Sequence, residues 1–219
     1  MTETAGTYGT EFFVRWLEAV AEAVEREADR LTELDAAIGD ADHGANLRRG
    51  FTAVRKALDE EPPTAPGAVL VAAGKQLIST VGGASGPLYG TLLRRAGKAL
   101  GDDPRVTRER FAGALGEGVE AVSRLGGARP GDKTMLDALV PGAEGLKVSF
   151  TEGRDRAGEG ALGTVPLRAR KGRASYLGER SVGHEDPGAA SSALLFAALA
   201  ATAGAEGTNG TTADGEGTA

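Results

Sequence analysis

A long apolar stripe at helical spacing between residues 11 and 34 is the feature that most restricts how this chain folds. Apolar residues recur there every three or four positions, while Glu and Arg occupy the opposite face. That periodicity is typical of an amphipathic α-helix that buries one side. The pattern therefore predicts one long helix with a single buried face, formed by Phe13, Trp16, Leu17, Val20, Val24, Ala28, Leu31 and Leu34.

The composition of the chain also favours helix over sheet. Of its 219 residues, 41% are hydrophobic, mainly Ala and Leu, whereas only 5% are aromatic and β-branched runs are rare. Residues of this kind suit helices better than strands. Glycine and proline separate further predicted helices, and the result is an all-helical single domain at residues 1–204. These helices cover about 45–58, 67–80, 88–100, 107–124, a stretch from 134 onwards, and one that begins at Pro187 behind an Asp186 N-cap.

Two segments fit a regular helix poorly. Four glycines and Pro166 lie within residues 152–170, and each glycine in a helix interior costs about 1 kcal/mol relative to Ala. We therefore expect a short or imperfect helix there. Residues 205–219 have nothing to bury and predict a disordered tail.

Composition excludes several classes of function. The chain has no cysteine, so disulfides and thiolate metal sites are excluded. Its net charge of −6 argues against nucleic-acid binding, which needs a basic surface. No apolar run approaches the ~18–20 residues of a membrane span, and the first residues lack the basic start of a secretory signal. We expect a cytoplasmic protein with neither a nucleic acid nor a membrane as partner.

Residues 34–46, LDAAIGDADHGAN, place Asp35, Asp40 and Asp42 close together. Their spacings of five and two do not fit one helical face, but a turn would fold all three inward. Neighbouring carboxylates repel unless one gains a proton or they share a cation. Oxygen ligands suit Mg²⁺ or Ca²⁺, and Gly44 and Phe51 break the EF-hand pattern, so Mg²⁺ completed by phosphate fits better. The alternative is a capping loop, with Asp42 as the N-cap of the next helix and Asp35 solvated.

Three glycine-containing segments lead into predicted helices. His43-Gly44-Ala45-Asn46 opens one, and free backbone N–H groups at a helix start attract phosphate. Residues 81–90, VGGASGPLYG, fit either an anion-binding nest or close helix packing, and match neither common phosphate-loop pattern. In residues 126–135, GGARPGDKTM, Asp132 is an expected N-cap and Met135 an apolar platform for a base. Lys133 there is either a phosphate contact or a solvated residue.

A basic segment at residues 169–189 precedes the last helix. Arg173 and Arg180 are suited to bidentate phosphate contacts, unless they only form a solvated face. The turn Asp186-Pro187-Gly188 follows directly. If alternate loops of an antiparallel helical barrel share one end, these four loops converge, and phosphate chemistry is the activity they favour.

The motifs LDAAIGDADHGAN, GGASGPLYG, GDKTMLDALVP and KGRASYLGERSVGHEDPGA closely resemble, in order and spacing, those of the nucleotide-binding L subunits of bacterial dihydroxyacetone kinases. The likeness covers about residues 10–204. It implies a barrel of eight antiparallel helices that binds ADP or ATP and two Mg²⁺ ions at one end. Metal ligands are implied at Asp35, Asp40 and Asp42. Nucleotide contacts are implied at His43, Gly44, Ala45, Asn46, Ala84, Ser85, Gly126, Met135, Arg173, Asp186, Pro187 and Gly188.

The resemblance also implies a reaction and its partners. In the phosphotransferase-dependent form, ADP stays bound and a phosphohistidine M subunit rephosphorylates it. The phosphoryl group then passes to dihydroxyacetone held by a separate K subunit. Positioning and charge neutralisation carry such a transfer, and the implied catalytic residues are the three aspartates and Arg173.

Two departures from the family pattern are visible. Ala45 stands where the family often has Thr, and the stretch between Met135 and Arg173 is shorter and richer in glycine. Two alternatives to the dihydroxyacetone kinase subunit stay open. One is an ATP-dependent kinase half with another acceptor. The other is a nucleotide-loaded regulatory module that docks on a transcription factor.

Overall fold

The computed structural model describes residues 6–209 of the chain. This part contains eight α-helices, one 3-10 helix and a two-stranded ribbon. The helices are α1 (Thr10–Ile38), α2 (His43–Glu60), α3 (Pro66–Thr80), α4 (Ser85–Leu100), α5 (Arg108–Gly126), α6 (Leu136–Leu146), α7 (Phe150–Leu162) and α8 (Pro187–Asn209), with the 3-10 helix at Arg173–Ser181. The strands are β1 (Thr7–Gly9) and β2 (Arg105–Thr107), which pair antiparallel with Tyr8 opposite Val106. The all-helical prediction is confirmed, whereas the ribbon was not expected, because strands of three residues carry no readable periodicity.

The long apolar stripe forms the buried face of α1. Phe13, Trp16, Leu17 and Val20 are all at most 1% exposed. The Trp16 indole N–H donates to the carbonyl of Leu195 in α8 at 2.9 Å, which joins the first and last helices through the core. The helix continues to Ile38, four residues beyond the predicted stripe, so that Asp35 lies in its final turn.

Helices that follow each other in the chain pack against each other, and α8 packs against α1. This closed order of contacts is the one that a helical barrel requires. The barrel itself stays a prediction. The connections between successive helices alternate between the two ends of the helices. As a result, the ends of α1, α3 and α5 lie beside the starts of α2, α4, α6 and α8.

The helix expected to be short or imperfect in residues 152–170 is short, because α7 ends at Leu162, and it is regular from Phe150 to that residue. Gly153 and Gly160 of this helix lie against α6. A Cβ at Gly160 would overlap the carbonyl oxygen of Asp137, and one at Gly145 would lie 2.6 Å from that of Glu152. Close backbone packing between the two helices therefore offsets the poor helix propensity of glycine.

The start of α8 is confirmed and its end is corrected. Asp186 is the N-cap, since its Oδ2 accepts the backbone N–H of Ala189 at 2.8 Å, and Pro187 is the first helical residue. The helix continues to Asn209, so residues 205–209 of the expected tail are helical. The remainder of that tail, 210–219, lies outside the described residues.

Helix α8 also corrects the expectation that no apolar run approaches membrane-spanning length. Pro187–Glu206 spans 20 residues with a mean hydropathy of 1.5, which is long and apolar enough to cross a bilayer. Half of this stretch is buried within the fold, where α8 contacts α1, α6 and α7. A packed core helix accounts for the same composition.

Two glycines of α7 give a matched test of the packing against α6. Gly160→Ala should lower the free energy of unfolding by about 2–3 kcal/mol, because the added methyl group forces the helices apart. Gly158→Ala should raise it by about 0.5–1 kcal/mol, because no atom lies within 4 Å of its Cβ position. Urea unfolding of both variants measures the difference, and equal effects would contradict the packing account.

Candidate active site

A cavity of about 290 Å³ opens at the end of the molecule where α1, α3 and α5 end and α2, α4, α6 and α8 begin. All four loops singled out in the sequence contribute to its wall, as the alternation of antiparallel helices predicts. The residues implied by the resemblance that line it are Asp35, Asp40, Asp42, His43, Ala84, Ser85, Gly126, Met135, Arg173, Asp186, Pro187 and Gly188.

Three carboxylates form an acidic cluster on this wall. Asp35, Asp40 and Asp42 each offer an oxygen within 4.8 Å of the others. Asp35 is buried, and its Oδ2 accepts the backbone N–H groups of Asp42 at 2.9 Å and His43 at 3.1 Å. Asp42 makes no capping bond with its own side chain. The capping alternative was therefore wrong in both residues: Asp35 is buried and caps α2, whereas Asp42 is exposed and does not.

The bend between α1 and α2 has the backbone geometry needed to bring these carboxylates together. Gly39 lies against Asp35, whose Oδ1 a Cβ at position 39 would overlap. Ala41 takes a left-handed conformation with φ of 63°, which is unfavourable for a residue with a side chain. The strained backbone at Ala41 thus accompanies the turn that places Asp40 and Asp42 beside Asp35.

A buried hydrogen-bond network connects three helix starts behind the acidic cluster. His43 in α2 lies between Ser85 of α4, 3.2 Å from Nδ1, and Ser191 of α8, 2.8 Å from Nε2. The hydroxyl of Tyr89 lies 2.7 Å from Ser191 Oγ and 2.9 Å from Ser192 Oγ. Burial lowers the pKa of His43, although the nearby aspartates oppose the shift, which favours a neutral imidazole at pH 7.

Three residues of the segment His43-Gly44-Ala45-Asn46 lie away from the cavity wall. Gly44 packs against α1, where a Cβ would overlap the carbonyl of Ala28. Asn46 is buried, and its Oδ1 accepts a bond from Arg49 at 2.7 Å. Ala45 is exposed on α2. Gly44 and Asn46 thus support the start of α2, and the assignment of all three as nucleotide contacts stays a prediction.

Lys133 has a different place from either of those expected. Its side chain is 1% exposed, and Nζ donates to the carbonyls of Thr164 at 2.8 Å, Leu167 at 3.1 Å and His184 at 2.5 Å. An ammonium engaged by three carbonyls is neither solvated nor free to contact phosphate. Lys133 instead holds both ends of the loop between α7 and α8, which carries Arg173.

The expected N-cap Asp132 does not cap α6, whose N-cap residue Met135 makes no side-chain capping bond, and Asp137 instead accepts N–H groups of the preceding loop. Asp137 Oδ2 accepts the backbone N–H of Thr134 at 2.7 Å, and its Oδ1 accepts that of Gly131. Asp132 accepts the N–H of Arg129 at 3.0 Å and so closes the preceding turn. The sequence shows two aspartates near this helix start but not which of them reaches the free N–H groups.

Asp186 combines its capping bond with deep burial. Removal from water, together with the neighbouring Asp137, raises the pKa of this carboxyl to about 7. The Ala189 N–H and the Lys133 ammonium act in the opposite direction. The Asp186 carboxyl therefore changes between its protonated and ionised forms close to neutral pH.

Some residues of the site were missed by the sequence interpretation. Tyr89 lines the cavity but was quoted only as part of a glycine-rich motif. Its spacing of four from Ser85 was a usable signal, since both then lie on one face of α4. The apolar wall formed by Leu88, Val122 and Leu136 gave no such signal, because those residues are indistinguishable from core positions in the sequence.

Carboxylates and helix starts around one cavity define the class of protein: a helical domain suited to bind phosphate groups together with divalent cations. The chain belongs to the DAK2 domain family, which matches residues 37–201. It is 43% identical to the ADP-binding subunit DhaL of PEP-dependent dihydroxyacetone kinase 1 from Listeria innocua, over 90% of this chain and 98% of that protein. Identity to the Escherichia coli ADP-binding subunit DhaL is 42%, over 87% and 95%.

Solved structures show the same fold. The crystal structure of the C. freundii dihydroxyacetone kinase in complex with AMP-PNP and Mg²⁺ aligns with a TM-score of 0.73 and 25% identity. The alignment covers 91% of this chain and 35% of that kinase. This chain therefore spans about a third of the length of that enzyme.

The raised pKa of Asp186 predicts a pH-dependent stability. Its protonated form is favoured in the folded state, so this contribution is fully present below the ordinary value of 3.8 and is lost as pH rises towards about 7. Between those values the loss reaches up to about 1.4 kcal/mol per pH unit. Asp186→Asn, which can still cap α8, should flatten the dependence in urea unfolding at pH 4.5, 6 and 7.5. Parallel curves for the two proteins would contradict the assignment.

Proposed function

We propose that this protein is the ADP- or ATP-binding subunit of a PEP-dependent dihydroxyacetone kinase. It transfers a phosphoryl group from its nucleotide to dihydroxyacetone held by a separate K subunit. One observation carries the proposal: the acidic cluster and four helix starts meet at one cavity, in a chain that matches an ADP-binding subunit over nearly its whole length. Rephosphorylation by a phosphohistidine M subunit completes the proposed cycle.

The acidic cluster fits magnesium. It provides only hard oxygen donors, and the chain contains no cysteine that would favour a softer metal. Asp35 Oδ2 already accepts two backbone N–H groups, which fixes the orientation of that carboxylate. Asp40 and Asp42 are exposed towards the solvent and complete the ligand set for two ions. Mg²⁺ held by these carboxylates would neutralise charge on the phosphate groups of the nucleotide.

The remaining wall fits a nucleotide. The starts of α2, α4, α6 and α8 line the cavity and bring the positive ends of their helix dipoles to it, although Asp35 and Asp186 already accept N–H groups at the starts of α2 and α8. Met135, Leu88 and Val122 form an apolar face suited to a base. The cavity volume of about 290 Å³ lies at the lower end of the range of about 300–1,000 Å³ for small-molecule sites.

Arg173 is the cation that the proposal assigns to the transfer step. It lies at the cavity wall, and its guanidinium pairs with Asp40 Oδ2 at 3.0 Å. Two-thirds of the side chain is exposed, so it can face a group that enters from a partner. Its role is to offset charge on the transferring phosphoryl group, while the aspartates and helix starts hold the donor in place.

A second acceptor is favoured by one comparison. The chain is 38% identical to the D-erythrulose kinase of Mycolicibacterium smegmatis, over 91% of this chain and 37% of that enzyme. The same nucleotide domain thus occurs in a kinase named for another sugar. A kinase half with a different acceptor is our second candidate, and a regulatory module that binds a transcription regulator is the third. All three place the protein in the cytoplasm, where nucleotides and phosphoryl carriers are available.

Reconstitution separates these candidates. The purified chain is first denatured, and the released ADP, ATP and Mg²⁺ are measured. It is then assayed with a K subunit, an M subunit and a phosphohistidine donor, omitting one component at a time. The proposal expects bound ADP and phosphorylation of dihydroxyacetone only in the complete mixture. Activity of the chain alone on dihydroxyacetone would contradict it, and activity with erythrulose only would favour the second candidate.

Neutralising single ligands should separate metal binding from folding. Asp42→Asn should weaken Mg²⁺-dependent ADP binding by at least about tenfold, the size found even for outer-shell partners of a metal. Its melting temperature should not fall, because removing one of three like charges relieves repulsion. Calorimetric titration of ADP with and without Mg²⁺ measures the effect. Asp59→Asn, an exposed carboxylate elsewhere on α2, is the control, and equal affinities for the two variants would contradict the ligand assignment.

A further inference from the structure

The hydroxyl of Tyr89 lies where the first turns of three helices meet. Tyr89 follows Ser85 by one turn of α4, and its ring is 1% exposed beside the cavity. The hydroxyl lies 3.1 Å from the carbonyl oxygen of Gly188 in the first turn of α8. It also contacts Ser191 and Ser192, which are both fully buried. Ser191 in turn contacts His43 at the start of α2.

The acceptors at the start of α8 fix the direction of these hydrogen bonds. The carbonyl of Pro187 can only accept, and Ser191 Oγ donates to it at 2.9 Å. With its proton used there, Ser191 Oγ accepts from the Tyr89 hydroxyl at 2.7 Å and from His43, which therefore carries its proton on Nε2. His43 Nδ1 is left to accept from Ser85 at 3.2 Å. One chain of hydrogen bonds thus runs from α4 through α2 to α8.

We propose that Tyr89 is a positioning residue of the nucleotide site, and that its hydroxyl acts through Ser191 to hold His43 and the first turn of α8 in fixed relation. The expected effect on nucleotide binding rests on the proposed function, whereas the hydrogen-bond geometry does not. His43 at the start of α2 and Pro187 and Gly188 in the first turn of α8 line the same cavity. A ligand that spans both starts is bound tightly only while their separation is maintained.

The environment of the phenol supports this role. Burial raises the pKa of Tyr89 to about 12, although the bonds to Ser191 and Ser192 oppose the shift. The hydroxyl therefore keeps its proton at cellular pH and stays a donor to Ser191 Oγ. The ring itself fills the wall between α4 and α8, so removing only the oxygen leaves the packing in place.

The test uses the full chain with single-atom changes. Tyr89→Phe should weaken Mg·ADP binding by about five- to tenfold, the effect of one or two lost hydrogen bonds. Tyr176→Phe removes the same atom from a ring that is 91% exposed, and should leave the affinity unchanged. Ser191→Ala should weaken binding as Tyr89→Phe does, and the double variant should show less than the sum of the two losses. Ser192→Ala keeps the Ser191–His43 contact and should have a smaller effect.

A second readout needs no nucleotide. The chain has two histidines, so ¹⁵N spectra of the His184→Gln protein report His43 alone. The proposal expects a slowly exchanging proton on Nε2, which Ser191→Ala should bring into rapid exchange and Tyr89→Phe should accelerate. Unaltered exchange in both variants would overturn the proposal.

Two further outcomes are decisive. If Tyr89→Phe binds Mg·ADP as tightly as the unmodified chain, or if Ser191→Ala and Ser192→Ala lose equal affinity, the hydroxyl has only a structural role and the proposal fails. If the unmodified chain binds no Mg·ADP while the imidazole proton behaves as expected, the nucleotide function fails and the positioning geometry stands.

Discussion

Asp35 lies in the last turn of α1, and its carboxylate accepts the backbone N–H groups of Asp42 and His43 at the start of α2. A buried carboxylate is costly unless it is paired or hydrogen-bonded, and the free N–H groups of a helix start are the matching donors. This contact joins the last turn of α1 to the start of α2. It also fixes the bend that holds Asp40 and Asp42 beside it, so the acidic cluster follows from how the two helices are joined.

Each of the other walls of the cavity uses a comparable device. Asp137 receives the N–H groups before α6, and Asp186 caps α8. Lys133 donates to three carbonyls and so holds the loop that carries Arg173. Buried charges are stable only with such partners, and here their partners are backbone groups at the ends of elements. Some charged residues that the sequence suggests as ligand contacts, such as Lys133 and Asp186, therefore hold loops and helix starts in place.

The parts of the structure that the sequence predicted are those with strong local signals. The stripe that ends at Leu34 predicted α1, and Asp186-Pro187 predicted the start of α8. Local signals failed where a distant backbone decides. The glycines of α7 are permitted by the approach of α6, and Lys133 is buried because carbonyls far along the chain surround it. The motif at residues 34–46 located the cavity, but only the fold shows that Gly44 faces α1 instead of the wall.

The distribution of charge around the cavity also makes divalent cations necessary for the proposed ligand. Three carboxylates line one side, while the Lys133 ammonium is occupied by carbonyls and Arg173 is paired with Asp40. A nucleotide adds further negative charge, which the helix starts offset only in part, because each carries about half an elementary charge. Magnesium held by the acidic cluster would remove both repulsions at once, between the carboxylates and between them and the phosphates. The acidic cluster and the nucleotide are therefore mutually repulsive without the metal and complementary with it, which explains how a chain of net charge −6 can hold a polyphosphate.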